Sequence, residues 1–398
     1  MINVGFTLLG GDSWFAGVNY LRNLLFAISA LEERQIRPIL FAGEKVSDKT
    51  TRLFEPYAAI VRNSLLDENS RAYFLRKLIF KATGEDLLFS RLLARHGIVV
   101  ASHSNICGRR LPFKTINWIP DFQHLHLPAM YSAREIRRID SRFRPRAEKS
   151  DVILLSSFDA FDDFRRYAPG HEGKGRVLQF VSQPNPRIFE MNERGAVERK
   201  YGISDKYFYL PNQFWKHKNH RVVFEAVDIL KRRGREILLV CTGHTADYRN
   251  RGHFEELASF IADRGLGGNI RILGLIDYDD VLYFMRHAVS VINPSHFEGW
   301  SSTVEEAKSI GKNMILSNIR VHREQDPPGS VYFSPEDPEK LAEILGRTWD
   351  ERAGGLDVKL ERAARESLPA RTRQFAVKYQ DIVLEFAGAD LPPWRREP

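Results

Sequence analysis

The sequence predicts an α/β protein built from two doubly wound, Rossmann-like domains, and three observations lead to this fold class. Apolar runs of strand length alternate with helical patterns through both halves of the chain, as in parallel sheets with crossover helices. At 398 residues the chain exceeds one ordinary hydrophobic core and suits two domains. The periodicity fails once, between Ser182 and Glu198, in a stretch that contains Pro184 and Pro186.

That break predicts the domain limits. Residues 1–183 are expected to form the first domain and residues 184–370 the second. A last helical pattern, Arg371 to Phe386, is expected to cross back toward the first domain together with the tail that ends at residue 398. The predicted strands of the first domain are Asn3–Leu9, Pro38–Ala42, Gly97–Ser102, Thr115–Ile119, Val152–Ser156 and Arg176–Val181. Those of the second are Tyr207–Pro211, Ile237–Thr242, Ile270–Leu273, Ser290–Asn293, Met314–Ser317 and Val331–Phe333.

Composition indicates a globular protein that stays inside the cell. The chain is 43% hydrophobic and 28% charged, and no segment approaches the roughly eighteen uncharged apolar residues of a membrane-spanning helix. The start, MINVGFTLLGG, lacks the basic region and long apolar run of a signal peptide. Cys107 and Cys241 are far apart and lack CxxC spacing, so neither a disulfide framework nor a zinc site is expected.

The charge balance favours an acidic partner. A formal net charge of +8 suits nucleic acid, anionic lipid or a phosphate-bearing small molecule. No RNA-binding or zinc-finger signature is present, so nucleic acid is not expected. Charge alone leaves the other two classes open.

The segment from Asn293 to Arg320 has the most informative pattern. A buried strand ends at Pro294, and a polar loop containing Gly299 leads to a helix whose candidate N-cap and first-turn residues are Ser301, Ser302 and Thr303. Amide groups at such a helix start suit a diphosphate. Glu298 and Glu306 are placed to accept hydrogen bonds from sugar hydroxyls. Alternatively, acidic residues in a first turn simply favour the helix electrostatically.

A second candidate lies at the first strand end of the second domain. The strand ends at Pro211 and is followed by Asn212 and Gln213 and then by the basic residues Lys216, His217 and Lys218. Lysines at a strand end are well placed to neutralise a leaving diphosphate. A merely solvated basic loop is the other interpretation.

Two weaker candidates belong to the first half. Gly10, Gly11 and Gly17 form a turn after the first strand that allows a close backbone approach to a ligand. His124 and His126 follow the strand that ends near Pro120, two residues apart, which places both rings on one side of an extended segment. No further ligand accompanies them, so a packing role is as admissible as a site role and no metal is expected.

Two further patterns have competing interpretations. Asp277-Tyr278-Asp279 has the DxD spacing of some metal sites, but helix capping explains it better because a helical pattern follows. The stretch from Ser70 to Gly97 combines basic residues with Phe74, Leu75 and Leu78. It predicts either an interfacial helix on an anionic membrane or an ordinary surface helix.

Residues 298–307, EGWSSTVEEA, resemble the E-x7-E signature of the family-4 retaining glycosyltransferases of the GT-B fold. The continuation GKNMILSNIRVHRE is similar to the strand and loop that follow in that family. The resemblance implies two Rossmann-like domains facing each other across a cleft, the first on the acceptor side and the second on the donor side. It also implies that Glu298 meets the transferred sugar and Glu306 the ribose.

The same resemblance implies roles for the remaining candidates. Lys218 matches the family's phosphate-binding lysine, whereas Gln213 stands at the place of its arginine, and Lys216 is the candidate substitute. Asn212, Gly299, Ser301, Ser302 and Thr303 would complete the donor site. Leu275 and Ile276 resemble the base-binding loop. Ala16 replaces one glycine of the glycine loop, and Pro120 stands at the place of a sugar-contacting histidine, for which His124 is the candidate.

The implied function is transfer of a hexosyl group from a nucleotide-diphosphate sugar to a glycan or lipid-linked acceptor, as in polysaccharide or O-antigen biosynthesis. The catalytic candidates are Glu298, Lys218 and His124. No cofactor or metal is expected, and the location is the cytoplasm, with peripheral association at the inner face of the cytoplasmic membrane as a candidate. Two alternatives stay open: a nucleotide-sugar-binding scaffold without turnover, and a sugar-nucleotide epimerase of the same fold.

Overall fold

The computed structural model describes residues 1–9, 15–106, 108, 111–191, 195–203 and 206–388. Within them the chain divides into two compact units. The first unit comprises Met1–Phe122, Ala133–Val181 and the chain from Ala370 onward, and the second comprises Gln123–Ser132 and Ser182–Pro369. The domain limits expected from the sequence remain a prediction. In the division into units, the short segment Gln123–Ser132 belongs to the second unit.

The first unit contains a parallel sheet with seven strands in the described part of the chain. The strands are β1 (Ile2–Thr7), β2 (Ile36–Ala42), β3 (Ala59–Arg62), β4 (Val100–Ser102), β5 (Lys114–Ile119), β6 (Val152–Leu155) and β7 (Gly175–Val177). Their order is β3-β2-β1-β4-β5-β6-β7. The helices are α1 (Phe15–Ser29), α2 (Asp48–Arg52), α3 (Arg71–Thr83), α4 (Leu87–Arg95), α6 (Ala133–Lys149) and α7 (Phe158–Tyr167), with α5 (Gln123–His126) in the second unit.

The second unit repeats this topology with six parallel strands among its described residues. They are β8 (Phe208–Leu210), β9 (Leu239–Cys241), β10 (Ile270–Ile272), β11 (Val291–Asn293), β12 (Met314–Ser317) and β13 (Val331–Phe333), in the order β10-β9-β8-β11-β12-β13. The helices are α8 (Ala196–Tyr201), α9 (His220–Arg232), α10 (His253–Asp263), α11 (Tyr278–His287), α12 (Ser302–Ile310), α13 (Arg320–Gln325) and α14 (Pro338–Glu351). A long helix, α15 (Val358–Ala387), contributes to both units.

Side chains that alternate along β8 pack into apolar clusters on both faces of the second sheet. In β8, Phe208 and Leu210 pack into a cluster that includes Phe224 of α9, whereas Tyr209 packs into another cluster with Phe284 of α11. All of these side chains are fully buried. A strand buried on both faces reads as a continuous apolar run, which is the pattern of YFYL in the sequence.

The predicted α/β fold class with two parallel, doubly wound sheets is confirmed. The predicted strands all exist: eight of the twelve are one to three residues shorter than predicted, β2 and β5 are longer, and β3 was missed. The last helix begins at Val358 rather than at Arg371 and contains Pro369. Among the described residues, no helix is both long enough and apolar enough to cross a membrane.

Candidate functional site

Polar side chains converge where the strand order of the second sheet reverses. In an open parallel sheet, the crevice beyond the carboxyl ends of the strands at this point is where ligands bind. Asn212 follows β8 and Asn293 ends the neighbouring β11, and the Asn212 Nδ2 atom donates to Asn293 Oδ1 at 3.1 Å. Asn293 in turn donates to Ser301 Oγ at 2.8 Å, and Thr303 Oγ1 donates to Asn212 Oδ1 at 3.2 Å. The start of α12 is therefore tied directly to both strand ends.

The first turn of α12 is capped as the sequence predicts. Ser301 is the N-cap residue, and its side chain accepts a hydrogen bond from the Val304 amide at 3.3 Å. Gln325, at the end of α13, binds the backbone of Ser301. Its Oε1 accepts from the Ser301 amide at 3.1 Å, and its Nε2 donates to the Ser301 carbonyl at 3.0 Å. Because the Ser301 amide is already bonded, the donors available at this helix start are the amides of Ser302 and Thr303.

Lys218 and Glu298 form an ion pair beside this helix start. Lys218 Nζ lies 2.6 Å from Glu298 Oε1, and the two side chains are 16% and 9% exposed. Ser295 Oγ donates to the same carboxylate oxygen at 2.6 Å. The loops after β8 and after β11 thus bring together the lysine and the glutamate that the sequence predicts as site residues.

The electrostatics of the pair favour the charged glutamate. Burial alone would raise the pKa of Glu298, but the nearby Lys218 and His322 and the hydrogen bonds from Lys218 and Ser295 together lower it below its ordinary value. Burial lowers the pKa of His322 to about 4. Burial and the neighbouring charge of Lys218 hold the pKa of His217 well below its ordinary value. At neutral pH these histidines are uncharged, so Lys218 supplies the positive charge beside Glu298.

The two loops are locked to each other by two further contacts. The His296 amide donates to the His217 carbonyl at 2.8 Å. Asn219 adopts a left-handed backbone conformation with φ of 54°, and its side chain donates to the carbonyls of Pro294 and Pro335 at 3.2 and 2.8 Å. Asparagine tolerates this conformation better than most residues. The Lys218–Glu298 distance is therefore set by backbone and side-chain bonds around it.

Glu306 lies on the side of α12 that faces α11. Tyr278, the first residue of α11, donates from its hydroxyl to Glu306 Oε1 at 2.8 Å. The carboxylate is only partly accessible to solvent, and this burial raises its pKa to about 7, against the opposing effect of the Tyr278 hydrogen bond. Ile276 and Tyr278 both pack on the cluster that contains Val304 and Ala307 of α12. Glu298 thus precedes the start of α12, and Glu306 lies in its second turn.

The remaining predicted donor residues differ in exposure. Gln213 and Lys216 are exposed, Gly299 is partly buried and Ser302 is exposed. Gln213 Oε1 accepts from the His244 amide at 3.2 Å, and the Lys216 amide donates to Asp247 at 3.1 Å. Gly243, between these segments, has φ of 140° and lies so close to the Asn212 carbonyl that a Cβ would collide with it. The loop after β8 is therefore packed backbone to backbone against the loop after β9.

The two histidines after β5 are not on an extended segment, which corrects the expected geometry. They lie on the short helix α5, where His124 is 3% exposed and its ring packs near Tyr131 at a centroid distance of 6.4 Å. The exposed His126 ring instead lies 4.9 Å from the ring of Phe297, next to Glu298. Both histidines belong to the second unit, and the His126 ring contacts the loop that contains Glu298.

The structure describes one of the three glycines predicted for the glycine loop. Gly10 and Gly11 lie outside the described residues, and Gly17 is buried within α1.

The capping explanation for the DxD pattern was wrong in detail: Asp277 occupies the N-cap position of α11, but its side chain makes no capping bond and lies 3.5 Å from Lys200. Asp280 instead accepts from Lys200 and Tyr201 at 2.6 and 2.7 Å. Within the described ranges, no group of three or more His, Cys, Asp or Glu could hold a metal ion.

Sequence reasoning missed three residues that shape this site: Ser295, Gln325 and Tyr278. Ser295 lies three residues before Glu298 and could have been noticed as a short-range donor. Gln325 is 24 positions from Ser301, and a glutamine in a polar helix gives no signal of such a contact. Tyr278 was considered only as the centre of the DxD pattern.

Residues 194–367, less than half of the chain, match the family model described as glycosyl transferases group 1. This range covers both glutamates and Lys218. Residues 194–367 are therefore similar to this family. No curated protein sequence matches the chain.

Solved structures resemble the whole chain. Anabaena HepE in complex with UDP and glucose has a TM-score of 0.65 at 13% identity and covers 98% of this chain and 100% of its own. Sucrose-phosphate synthase from Thermosynechococcus elongatus has a TM-score of 0.66 at 13% identity, with the same coverage. WaaG, a glycosyltransferase involved in lipopolysaccharide biosynthesis, has a TM-score of 0.59 at 14% identity and covers 97% of this chain and 100% of its own. At these identities the likeness shows the fold, which is the GT-B fold.

Proposed function

We propose that this protein is a retaining glycosyltransferase that moves a hexosyl group from a nucleotide-diphosphate sugar to a glycan or lipid-linked acceptor. The observation that carries the proposal is the Lys218–Glu298 pair, 2.6 Å apart beside the capped start of α12. The glycosyl transferases group 1 match over residues 194–367 and the GT-B fold support it.

The donor diphosphate would bind between Lys218 and the start of α12. A nucleotide-sugar loses a diphosphate when the sugar is transferred, so negative charge grows on the phosphate oxygens in the transition state. Lys218 and the amides of Ser302 and Thr303 would stabilise that charge, since they are already fixed in position. A cation and helix-start amides together would do this without a metal ion. Lys216, which is exposed on the same loop, is a second candidate phosphate ligand.

The two glutamates would hold opposite ends of the donor. Glu298, charged and bonded to Lys218 and Ser295, would accept hydrogen bonds from the hydroxyls of the transferred sugar. Glu306 would accept from the ribose, and the backbone near Ile276, beside Tyr278, would contact the base. Glu298 before α12, the amides at its start and Glu306 in its second turn would then follow the order of sugar, diphosphate and nucleoside in such a donor.

UDP-glucose-type donors are the first to test, because HepE was crystallised with UDP and glucose. Guanosine diphosphate donors are the main alternative. The acceptor side is expected on the first unit, and where the acceptor is attached to a lipid the reaction would take place at the cytoplasmic face of a membrane. The involvement of WaaG in lipopolysaccharide biosynthesis makes lipid-linked glycans the acceptor class to test first.

The test is a thermal-shift screen of the wild-type protein against UDP, GDP, dTDP and ADP. The diphosphate with the matching base should raise the melting temperature most, since binding at a hundred times Kd stabilises a protein by about 2.7 kcal/mol. If none of the four diphosphates raises the melting temperature, the donor site does not exist as described.

A turnover assay separates enzyme from scaffold. The sugar nucleotide that matches the stabilising diphosphate should be consumed with EDTA present, and NMR of the product should show the anomeric configuration of the donor. Tight donor binding without hydrolysis or transfer to any acceptor would support a scaffold. Conversion of the sugar nucleotide to its epimer would support an epimerase.

A further inference from the structure

Helix α3 of the first unit presents large apolar side chains to solvent. Phe74 is 75% exposed, Leu75 51% and Leu78 61%. None of the thirteen described residues of this helix is buried. A contiguous patch of large, exposed apolar side chains on a soluble protein marks a site of interaction with another protein or with a membrane.

Phe74, Leu75 and Leu78 lie on one face of the helix, whereas Phe80, which is 45% exposed, lies on another. Arg71, Phe74, Leu75, Leu78 and Ala82 recur at the spacing that places side chains on one side of an α-helix. The apolar members, Phe74, Leu75 and Leu78, are here called the α3 face.

The opposite side of α3 fixes this orientation through a charged residue. Arg76 donates to both carboxylate oxygens of Asp86 at 2.6 to 3.0 Å and to the Leu65 carbonyl at 3.0 Å. Its guanidinium also lies 4.5 Å from the ring centroid of Phe89. The Arg76 and Asp86 side chains are only 13% and 14% exposed. Arg76 thus faces the protein, while Phe74, Leu75 and Leu78 face outward.

The surroundings of the α3 face are basic. Arg71, Lys77 and Lys81 on α3 and Arg91 and Arg95 on α4 are all exposed. The segment from Arg71 to Arg95 contains two acidic residues, Glu85 and Asp86, and the second of these is paired with Arg76. A partner must therefore accept apolar side chains and carry negative charge around them.

We propose that the α3 face docks onto the surface of an anionic membrane, with its apolar side chains among the upper acyl chains and the flanking cations against lipid phosphates. Apolar side chains rimmed by lysine and arginine have the composition of interfacial helices. A second copy of the chain fits less well, because a two-fold contact through this face would bring two sets of cations together. The proposal goes beyond sugar transfer and does not depend on it.

The experiment measures co-sedimentation of the full chain with vesicles. Vesicles of phosphatidylglycerol and phosphatidylcholine should bind the protein, vesicles of phosphatidylcholine alone should bind it weakly, and high salt should release it because exposed charges are screened. The double variant Phe74→Ser, Leu78→Ser should bind at least about tenfold less, since two apolar side chains no longer enter the bilayer. Lys77→Glu with Lys81→Glu should abolish the preference for phosphatidylglycerol.

The matched control is Phe158→Ser, which removes another exposed phenylalanine of the same unit, on α7. It should bind vesicles like the wild type. Because Phe74 and Leu78 are exposed, their double variant should melt with the wild type, so loss of folding would not explain weaker binding.

Two results would overturn the proposal. One is vesicle binding that is unaffected by Phe74→Ser with Leu78→Ser. The other is a dimer of the wild type in sedimentation velocity that this double variant dissolves, because a second copy would then cover the α3 face. Diphosphate binding measured on the same samples reports on the donor site separately.

Discussion

Glu306 is the residue whose protonation most depends on the fold. Burial raises the pKa of its carboxyl to about 7 from an ordinary value of 4.5. Between these two pH values the folded protein holds the proton and the unfolded chain releases it. The free energy of unfolding therefore falls as the pH rises through this window, because the folded state must bury an added charge.

Glu306→Gln removes that pH dependence. Glutamine can still accept the Tyr278 hydrogen bond but carries no charge at any pH, so the variant should be more stable than the wild type above about pH 7. Thermal unfolding followed by circular dichroism from about pH 5 to about pH 8 checks this. The exposed Glu55→Gln is the control and should keep the wild-type profile. A Glu306→Gln profile parallel to that of the wild type would contradict the assigned burial.

At the scale of single residues, the sequence predicts which residues are candidates for the site better than it predicts the contacts between them. The separation of Glu298 and Glu306 and the lysine after β8 could be read directly from the chain. The direct bond between Lys218 and Glu298 could not, because it joins residues 80 positions apart through loops whose paths depend on Asn219 and on backbone bonds. The roles proposed for these residues, and for Lys216 and His124, remain predictions.

Among the elements, the start of α12 positions most of the site. Ser301 caps the helix, accepts from Asn293 and is held by Gln325 through its backbone. The cap residue could be predicted because serine before a helical pattern is a strong local signal. The clamp by Gln325 could not, because it comes from a helix that follows the next strand.

Ser301→Ala should lower the free energy of unfolding by about 1–2 kcal/mol, because the cap is lost and the buried Asn293 amide loses its acceptor. Urea denaturation measures this value. Ser302→Ala is the matched control: Ser302 is exposed at the first helical position, and its removal should change stability by less than about 0.5 kcal/mol. Equal effects of the two substitutions would show that Ser301 is not the cap.

Strand β3 shows where pattern reading fails for an element. The sequence AIVR is short, and its residues are exposed or only partly buried in the described structure, so it lacks the continuous apolar run that marked the other strands. It is an edge strand of the first sheet. Edge strands are buried least, and their sequences therefore differ least from loops.

Across the whole molecule, α15 contributes to both units through different kinds of contact. In the second unit, Glu361 pairs with the buried Arg286 at 2.9 Å, and the side chains are 13% and 3% exposed. In the first unit, Glu385 pairs with Arg176 at 2.6 Å, with side chains 48% and 30% exposed. The helical pattern from Arg371 onward was visible in the sequence, whereas the earlier part of α15 was not, because Pro369 interrupts it.

Glu361→Ala should cost about 3 kcal/mol or more of stability in urea denaturation, because Arg286 would remain buried without its carboxylate. Three backbone carbonyls, from Ile188, Phe189 and Met191, also bind Arg286 and limit the loss. Glu385→Ala, on the same helix, should cost less than about 1 kcal/mol since that pair is exposed. Similar costs for the two variants would contradict the difference in burial.

Binding of a nucleoside diphosphate to the second unit is the central claim of the proposed function. Its most direct test is isothermal titration of the diphosphate that stabilises the wild type, into Lys218→Met and into Lys340→Met. Lys340 is an exposed lysine of α14 paired with Glu343 and serves as the control. We predict that Lys218→Met binds at least about tenfold more weakly, because the phosphates lose a cation and meet the unpaired Glu298 carboxylate. Equal affinities of the two variants would contradict the proposed site.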